Sequence, residues 1–274
     1  MDLNTIDALL RPRTRADLPA WRGGDAWLAG GTWLFSEPQP TLRRLVDLSG
    51  LGWPPHTVSD AGLALAATCT IAALDRWEPP APWIAAPLIG QCCRALLGSF
   101  KIWNRATVGG NLCMALPAGP VAALAVALDG TCVVWTPDGA ERRVPALDFV
   151  RGPQETVLAP GEILRGVELP AAALMRRTAF RRISLSPNGR SGALVIATLD
   201  AHGRFVVTVT AATRRPVRLD LGDRHDADAL RAAIAAGIPD DLWYDDVHGA
   251  PDWRAHVTRL LAEETRAELC GAGR

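Results

Sequence analysis

Two glycine pairs offer the clearest chemistry in this sequence. The first lies in Leu28-Ala29-Gly30-Gly31-Thr32-Trp33, the second in Ala106-Thr107-Val108-Gly109-Gly110-Asn111. Glycine lets the main chain approach a ligand closely and take up positive φ. Successive bare N–H groups then make a concave anion site, and a helix starting just after the turn adds the favourable end of its dipole. Thr32, Thr107 and Asn111 add side-chain hydrogen bonds. Two such loops can hold a diphosphate without Lys or Arg, which suits a chain whose 29 Lys+Arg are balanced by 29 Asp+Glu. A single Gly-Gly after a strand is more often just a tight turn, and neither segment has G-x-G-x-x-G or Walker spacing. On the residues alone, the reading stops at a nucleotide-like ligand.

Other chemistry is harder to find. The six cysteines (69, 92, 93, 113, 132 and 270) form no C-x-x-C and no zinc spacing with histidine. They read as reduced, buried small hydrophobes, with no iron–sulfur cluster of the chain's own. The five histidines (56, 202, 225, 248 and 256) are scattered in polar contexts and read as surface or loop residues. None is assigned to covalent attachment of a ligand or to general-base work. No nucleophile elbow is present. Hence no catalytic residue and no metal ligand is assigned. Asp240, Asp241, Asp245 and Asp246 read as a solvated acidic loop, and Arg176–Arg182 as a solvated face or subunit contact. Trp33 and Trp103 sit inside the glycine-bearing segments, where packing on a ligand and packing in the core are both open.

The elements that must position these loops follow from periodicity and punctuation. A weak helix is expected over 4–19 from Ile6, Leu9 and Leu10. Short strands are expected at 26–29, 45–48 and 63–67, with a helix after the first Gly-Gly. Thr70 should cap a short helix running to Trp77. A longer helix carries Ile84, Leu88, Ile89, Cys92 and Leu96 on one face. Pro120 opens an Ala/Leu helix to Leu128, since proline suits the first helical position. Strands follow at 131–135 and 163–169. Beyond Pro170 come a strand at 180–183, a hairpin whose arms are 193–199 and 204–211 around Asp200-Ala201-His202-Gly203, and two helices. The pattern changes near 171–178, giving units of 1–172 and 176–274.

Composition sets outer limits. A net charge of zero leaves no electrostatic footprint for nucleic acid or an anionic membrane. The 49% hydrophobic and 21% charged residues are a globular balance rather than a disordered one. The longest apolar run, Val121 to Leu128, is eight residues, against the roughly 20 a spanning helix needs. The opening Met1-Asp2-Leu3-Asn4 lacks a basic secretory n-region, so the expected location is the cytoplasm.

Taken together, these segments resemble the FAD-binding medium subunit of the molybdenum hydroxylases, the family of xanthine dehydrogenase and aerobic carbon monoxide dehydrogenase. Ala29-Gly30-Gly31-Thr32-Trp33-Leu34 is similar to that family's A-G-G-T-D-L. Ile102-Trp103-Asn104-Arg105-Ala106-Thr107-Val108-Gly109-Gly110-Asn111-Leu112 is similar to I-R-N-x-A-T-I-G-G-N-L, and Ala115–Pro120 to A-S-P-A-G-D. Gly161-Glu162-Ile163-Leu164 matches D-E-I-L, and Asp252-Trp253-Arg254 resembles a Y-R element before the last helix. The match runs in order along essentially the whole chain.

The resemblance implies an α+β fold: a two-part FAD domain of the vanillyl-alcohol-oxidase (PCMH) type over 1–172, then a small α+β domain over 176–274. It implies that both Gly-Gly loops grip FAD, with Ile163 and Leu164 beside one of its rings. It further implies electron transfer from 2Fe–2S clusters in a small partner subunit, fed by a large molybdopterin subunit, through this flavin to an external acceptor in a heterotrimer. The family's Asp is Trp33 here, its Arg is Trp103, and the Ser and Asp of A-S-P-A-G-D are Leu116 and Pro120. The family's early second-domain lysine is replaced by Arg181 or Arg182. Two other readings stay open: a scaffold subunit that has lost FAD, and a stand-alone flavin oxidoreductase of the same fold.

Overall fold

The computed structural model describes residues 3–271. In chain order its elements are β1 (Ala8–Leu10), β2 (Asp25–Leu28), β3 (Arg44–Asp47), β4 (His56–Ser59) and β5 (Gly62–Ala66). The helices α1 (Ile71–Arg76), α2 (Ala86–Ala95), α3 (Phe100–Trp103), α4 (Val108–Met114) and α5 (Pro120–Ala127) follow. Then come β6 (Thr131–Trp135), β7 (Glu141–Pro145), α6 (Ala146–Phe149), β8 (Val150–Gly152), β9 (Glu155–Thr156), β10 (Ile163–Pro170) and α7 (Ala171–Leu174). The chain closes with β11 (Arg177–Ile183), β12 (Ala193–Leu199), β13 (Phe205–Thr210), β14 (Val217–Gly222), α8 (Ala227–Gly237) and α9 (Pro251–Cys270).

Among the described residues three sheets carry the architecture, with β8 and β9 pairing as a separate ribbon. A small parallel sheet has the order β1-β3-β2, an antiparallel sheet the order β4-β5-β10-β6-β7, and a meander the order β11-β12-β13-β14. This mixture of helix and sheet is the expected α+β class. The strand at 131–135 and the helix from Pro120 form where their turn chemistry places them. The α5 helix is apolar all round and every residue of it is buried. It packs against β12 and β13 as well as α2 and α4, so one core of Leu124, Val126, Leu194, Ile196 and Ala211 runs from the first sheets into the last. The Ala211 amide donates to the Pro117 carbonyl at 2.8 Å across the same seam. Among the described residues no helix is long and apolar enough to cross a membrane.

Three local expectations are corrected. The stretch 4–19 is not a helix. Its centre is β1, paired in parallel with β3, and residues 15–17 make one short turn closed by a Thr14–Asp17 capping box. Leu9, one of the apolar residues behind that expectation, is 63% exposed. Pairing with a partner some 36 positions later (Leu9 with Leu45) overrides a weak local pattern. The helix expected after Gly30-Gly31 is a run of turns instead, held by Phe35 N to Gly31 O and Ser36 N to Trp33 O. Pro38 stops it, because the residue before a proline is driven out of helical geometry. Finally, the basic stretch from Arg176 is not simply solvated. Arg176 is mostly buried and shares the Asp129 carboxylate with Arg218, joining the end of α5 to β14.

Candidate functional site

The first glycine loop leaves the C-terminal end of β2, an edge strand anchored by a buried ion pair. Arg44 on β3 donates from both Nε (2.8 Å) and Nη2 to the Asp25 carboxylate, and from Nη2 to the Ala20 carbonyl (2.8 Å). Those bonds hold the Asp25 carboxyl below the ordinary 3.8 in spite of burial. Beyond the strand, Gly30 lies so close to the second loop that a Cβ there would overlap the Arg105 carbonyl. Glycine is therefore required by contact between the two loops. The amides of Gly30, Gly31, Thr32 and Trp33 have no carbonyl acceptor among the described residues, so this loop presents the expected run of free donors.

The second loop is built differently. Thr107 caps α4, accepting from Gly110 N at 3.0 Å. Val108 N donates to Cys69 O at 2.9 Å, Gly109 N to Ala67 O at 2.8 Å and Asn111 N to Thr107 O at 2.9 Å. The first-turn donors are thus already taken, which corrects the expectation that this segment is a second nest of bare N–H groups. A Cβ at Gly109 would collide with Ala67, including its main chain. At Gly110 a Cβ would meet only Thr107 Oγ1, at 3.0 Å; the space beside it is open. Asn111 Oδ1 accepts from Val121 N at 3.0 Å and so ties the loop to α5.

Between the loops lies a cavity of about 650 Å³, within the roughly 300–1,000 Å³ of cofactor-sized sites. Leu28, Ala29, Gly30, Gly31, Thr32 and Trp33 line it from the first loop. Ala106, Thr107, Gly109, Gly110 and Asn111 line it from the second, and Ile163 and Leu164 from β10. Val108 is the exception: its side chain is fully buried in the core, away from the cavity. Trp103 also stays outside, its indole N–H donating to Leu96 O at 3.0 Å, whereas Trp33 lines the wall.

A family model described as the FAD binding domain in molybdopterin dehydrogenase matches residues 9–172. The chain belongs to that family. Among its relatives, the alpha subunit of the 6-hydroxypseudooxynicotine dehydrogenase complex of Paenarthrobacter nicotinovorans is 27% identical over 268 residues, covering 90% of this chain and 88% of that protein. The carbon monoxide dehydrogenase medium chain of Hydrogenophaga pseudoflava is 26% identical, covering 88% of each. The glyceraldehyde dehydrogenase medium chain of Sulfolobus acidocaldarius is 33% identical over 201 residues, covering 67% of this chain and 68% of that one. In fold, the chain matches a structure of reconstituted CO dehydrogenase from Oligotropha carboxidovorans with a TM-score of 0.80 at 23% identity, over 96% of this chain and 98% of that one.

The residues of this FAD-binding domain fit the dinucleotide. One loop offers four consecutive amides with no carbonyl acceptor, the other an open approach over Gly110. The Trp27 indole nitrogen, on a residue of the cavity wall, is buried without a hydrogen-bond partner among the described residues. At one end Glu162 is fixed by Arg142 (Nε at 2.7 Å, Nη2 at 2.5 Å) and by Ala159 N at 2.8 Å, which holds its carboxyl below the ordinary value. This carboxylate braces the start of β10, where Ile163 and Leu164 face the cavity. Cys113 also lines it, but burial pushes its thiol up to about 12. It therefore stays protonated and inert near neutral pH.

Sequence reasoning missed the opposite wall. Ser191, Tyr244, Asp246, His248 and Arg254 line the cavity from the last third of the chain. Arg254, 1% exposed, is its keystone. Its Nε donates to Gly249 O at 2.8 Å, its Nη1 to Gly192 O at 2.7 Å and to Ala211 O, and its Nη2 to the Asp246 carboxylate. Asp246 is accordingly no solvated acid, while His248 is the loop residue expected, now standing on the cavity wall. Burial lowers the Arg254 pKa, and Asp246 opposes that shift. The arginine of the Asp252-Trp253-Arg254 segment was the one available signal. Its partners stand up to 62 positions away, and nothing local reveals them.

Proposed function

We propose that this chain is the FAD-binding, electron-transfer subunit of a molybdenum hydroxylase. In this reading electrons reach it from 2Fe–2S clusters of a small partner subunit, themselves fed by a large molybdopterin subunit, and leave to an external acceptor. The observation that carries it is the family match over 9–172 coinciding with one cavity lined by both glycine loops. The relatives' own names, a dehydrogenase complex subunit and two medium chains, support a multi-subunit setting and a heterotrimer.

When bound, FAD supplies the redox chemistry, while the protein supplies position and electrostatics. The amides of Gly30, Gly31, Thr32 and Trp33 receive the diphosphate. Thr107, Gly109, Gly110 and Asn111 form the surface on which the rest of the dinucleotide lies. Ala106, Leu28 and Ala29 complete that surface, and Ile163 and Leu164 make apolar contact with a ring. The unit over 1–172 carries these groups, and that over 176–274 closes the wall through Arg254.

The test is a visible spectrum of the purified chain with its released cofactor identified by chromatography. A flavin band with FAD released near one per chain is the expected result. A folded, colourless chain that takes up no added FAD, alone or with its partner subunits, overturns the proposal in favour of a scaffold role.

A further inference from the structure

A shallower cavity of about 290 Å³ adjoins the main one and shares Gly30, Gly31 and Thr32 with it. Two cations, Lys101 and Arg105, line it. Lys101 is the only lysine in the sequence. It stands in α3, and the helical turn runs on past it through Asn104 N to Phe100 O (3.0 Å) and Ala106 N to Ile102 O (2.7 Å). Residues four apart on such a turn lie on the same side. Both side chains are exposed, and neither has a carboxylate within 4.0 Å among the described residues.

The acids around the loop do not cancel them. Of the three carboxylates on the main cavity, Glu162 is paired with Arg142 and Asp246 with Arg254. Among the described residues Glu37 alone is then left against three unpaired cations, Lys101 and Arg105 beside the turn and Arg190 on the opposite wall of the main cavity. The same Gly30-Gly31-Thr32 turn carries the amides that lack carbonyl acceptors. Main-chain donors and positive charge therefore converge on one short segment, the combination that favours a doubly charged phosphate group.

We infer that Lys101 and Arg105 form, with that turn, a diphosphate-binding rim that makes this chain select the dinucleotide over flavin fragments lacking the diphosphate. The inference rests on the FAD reading above. It replaces the expectation that the loops hold a diphosphate without help from Lys or Arg.

The experiment compares the full chain, freed of flavin, with the Lys101→Gln/Arg105→Gln double variant. FAD and riboflavin binding are measured at low and high salt. In the double variant the FAD dissociation constant should rise about tenfold at low salt, and the difference should shrink as salt screens the charges. Riboflavin, which has no phosphate, should bind both proteins equally. Because both residues are exposed, the melting temperature of the flavin-free chain should not move. A second measurement uses the single lysine: bound FAD should slow acetylation of Lys101, read by mass spectrometry. Unchanged FAD affinity and salt dependence in the double variant, or acetylation at the same rate with FAD bound, overturns the inference while leaving the FAD reading intact. A parent chain that binds no FAD overturns the reading itself, and the inference with it.

Discussion

The two Gly-Gly-polar loops look alike as sequence and do different work. In Thr107–Asn111 the helix-start amides are consumed internally, by Cys69, Ala67 and the Thr107 hydroxyl, so the loop is a rigid floor. In Gly30–Trp33 the amides are free, and the loop is the donor surface. Each pair has a glycine needed for packing against main chain, Gly30 under Arg105 and Gly109 against Ala67, and Gly31 is needed as well for its φ of 71°. A shared motif therefore marks where two segments must touch, and only hydrogen-bond accounting shows which of them has donors to spare.

The largest effects test the shared part. Gly30→Val and Gly109→Val should each destabilise the chain by more than about 3 kcal/mol in denaturant unfolding, because the obstacle is main chain rather than a flexible side chain. Equal stability in either variant would mean the loops do not press together as described. Gly110→Val should instead leave a folded chain that retains no FAD, since the new side chain enters open cavity space. Full flavin occupancy there would show the site is misplaced.

The two threonines separate the loops more finely. Thr107→Ala removes a helix cap and should cost about 1 kcal/mol of stability. Thr32 makes no hydrogen bond to the rest of the chain among the described residues, so Thr32→Ala should shift stability by less than about 0.5 kcal/mol while weakening FAD binding about tenfold. Interchanged results would reverse the roles assigned to the two loops. The smallest effect concerns pH. The Asp25 carboxyl lies below 3.8 in the folded chain, so its support for β2 is present above about pH 4 and is lost as pH falls through the lower folded value. Flavin retention should weaken in that acid range, and Asp25→Asn should remove that part of the dependence.

Local chemistry made much of the frame legible. Thr70 caps α1 as its hydroxyl suggests, accepting from Ala73 N; Pro120 opens α5; Asp129-Gly130 turns into β6. The family motifs located both loops, and the cavity gathers all the nominated residues but Val108. What stayed hidden depends on distance along the chain. The β1 strand exists only because β3 lies beside it. Asp246 looks like a solvated loop residue until Arg254, Gly192 and Ala211 are brought together. The unpaired state of Lys101 and Arg105 is likewise a property of the assembled surface, invisible in a neutral composition.

Trp27 and Trp33 both stand in the wall of the main cavity. Indole emission overlaps flavin absorption, so a flavin seated between the loops should quench these two side chains strongly and the other eight of the ten tryptophans according to their distance. The chain thus carries its own optical gauge of cofactor occupancy, readable without a label and before any partner or acceptor is known.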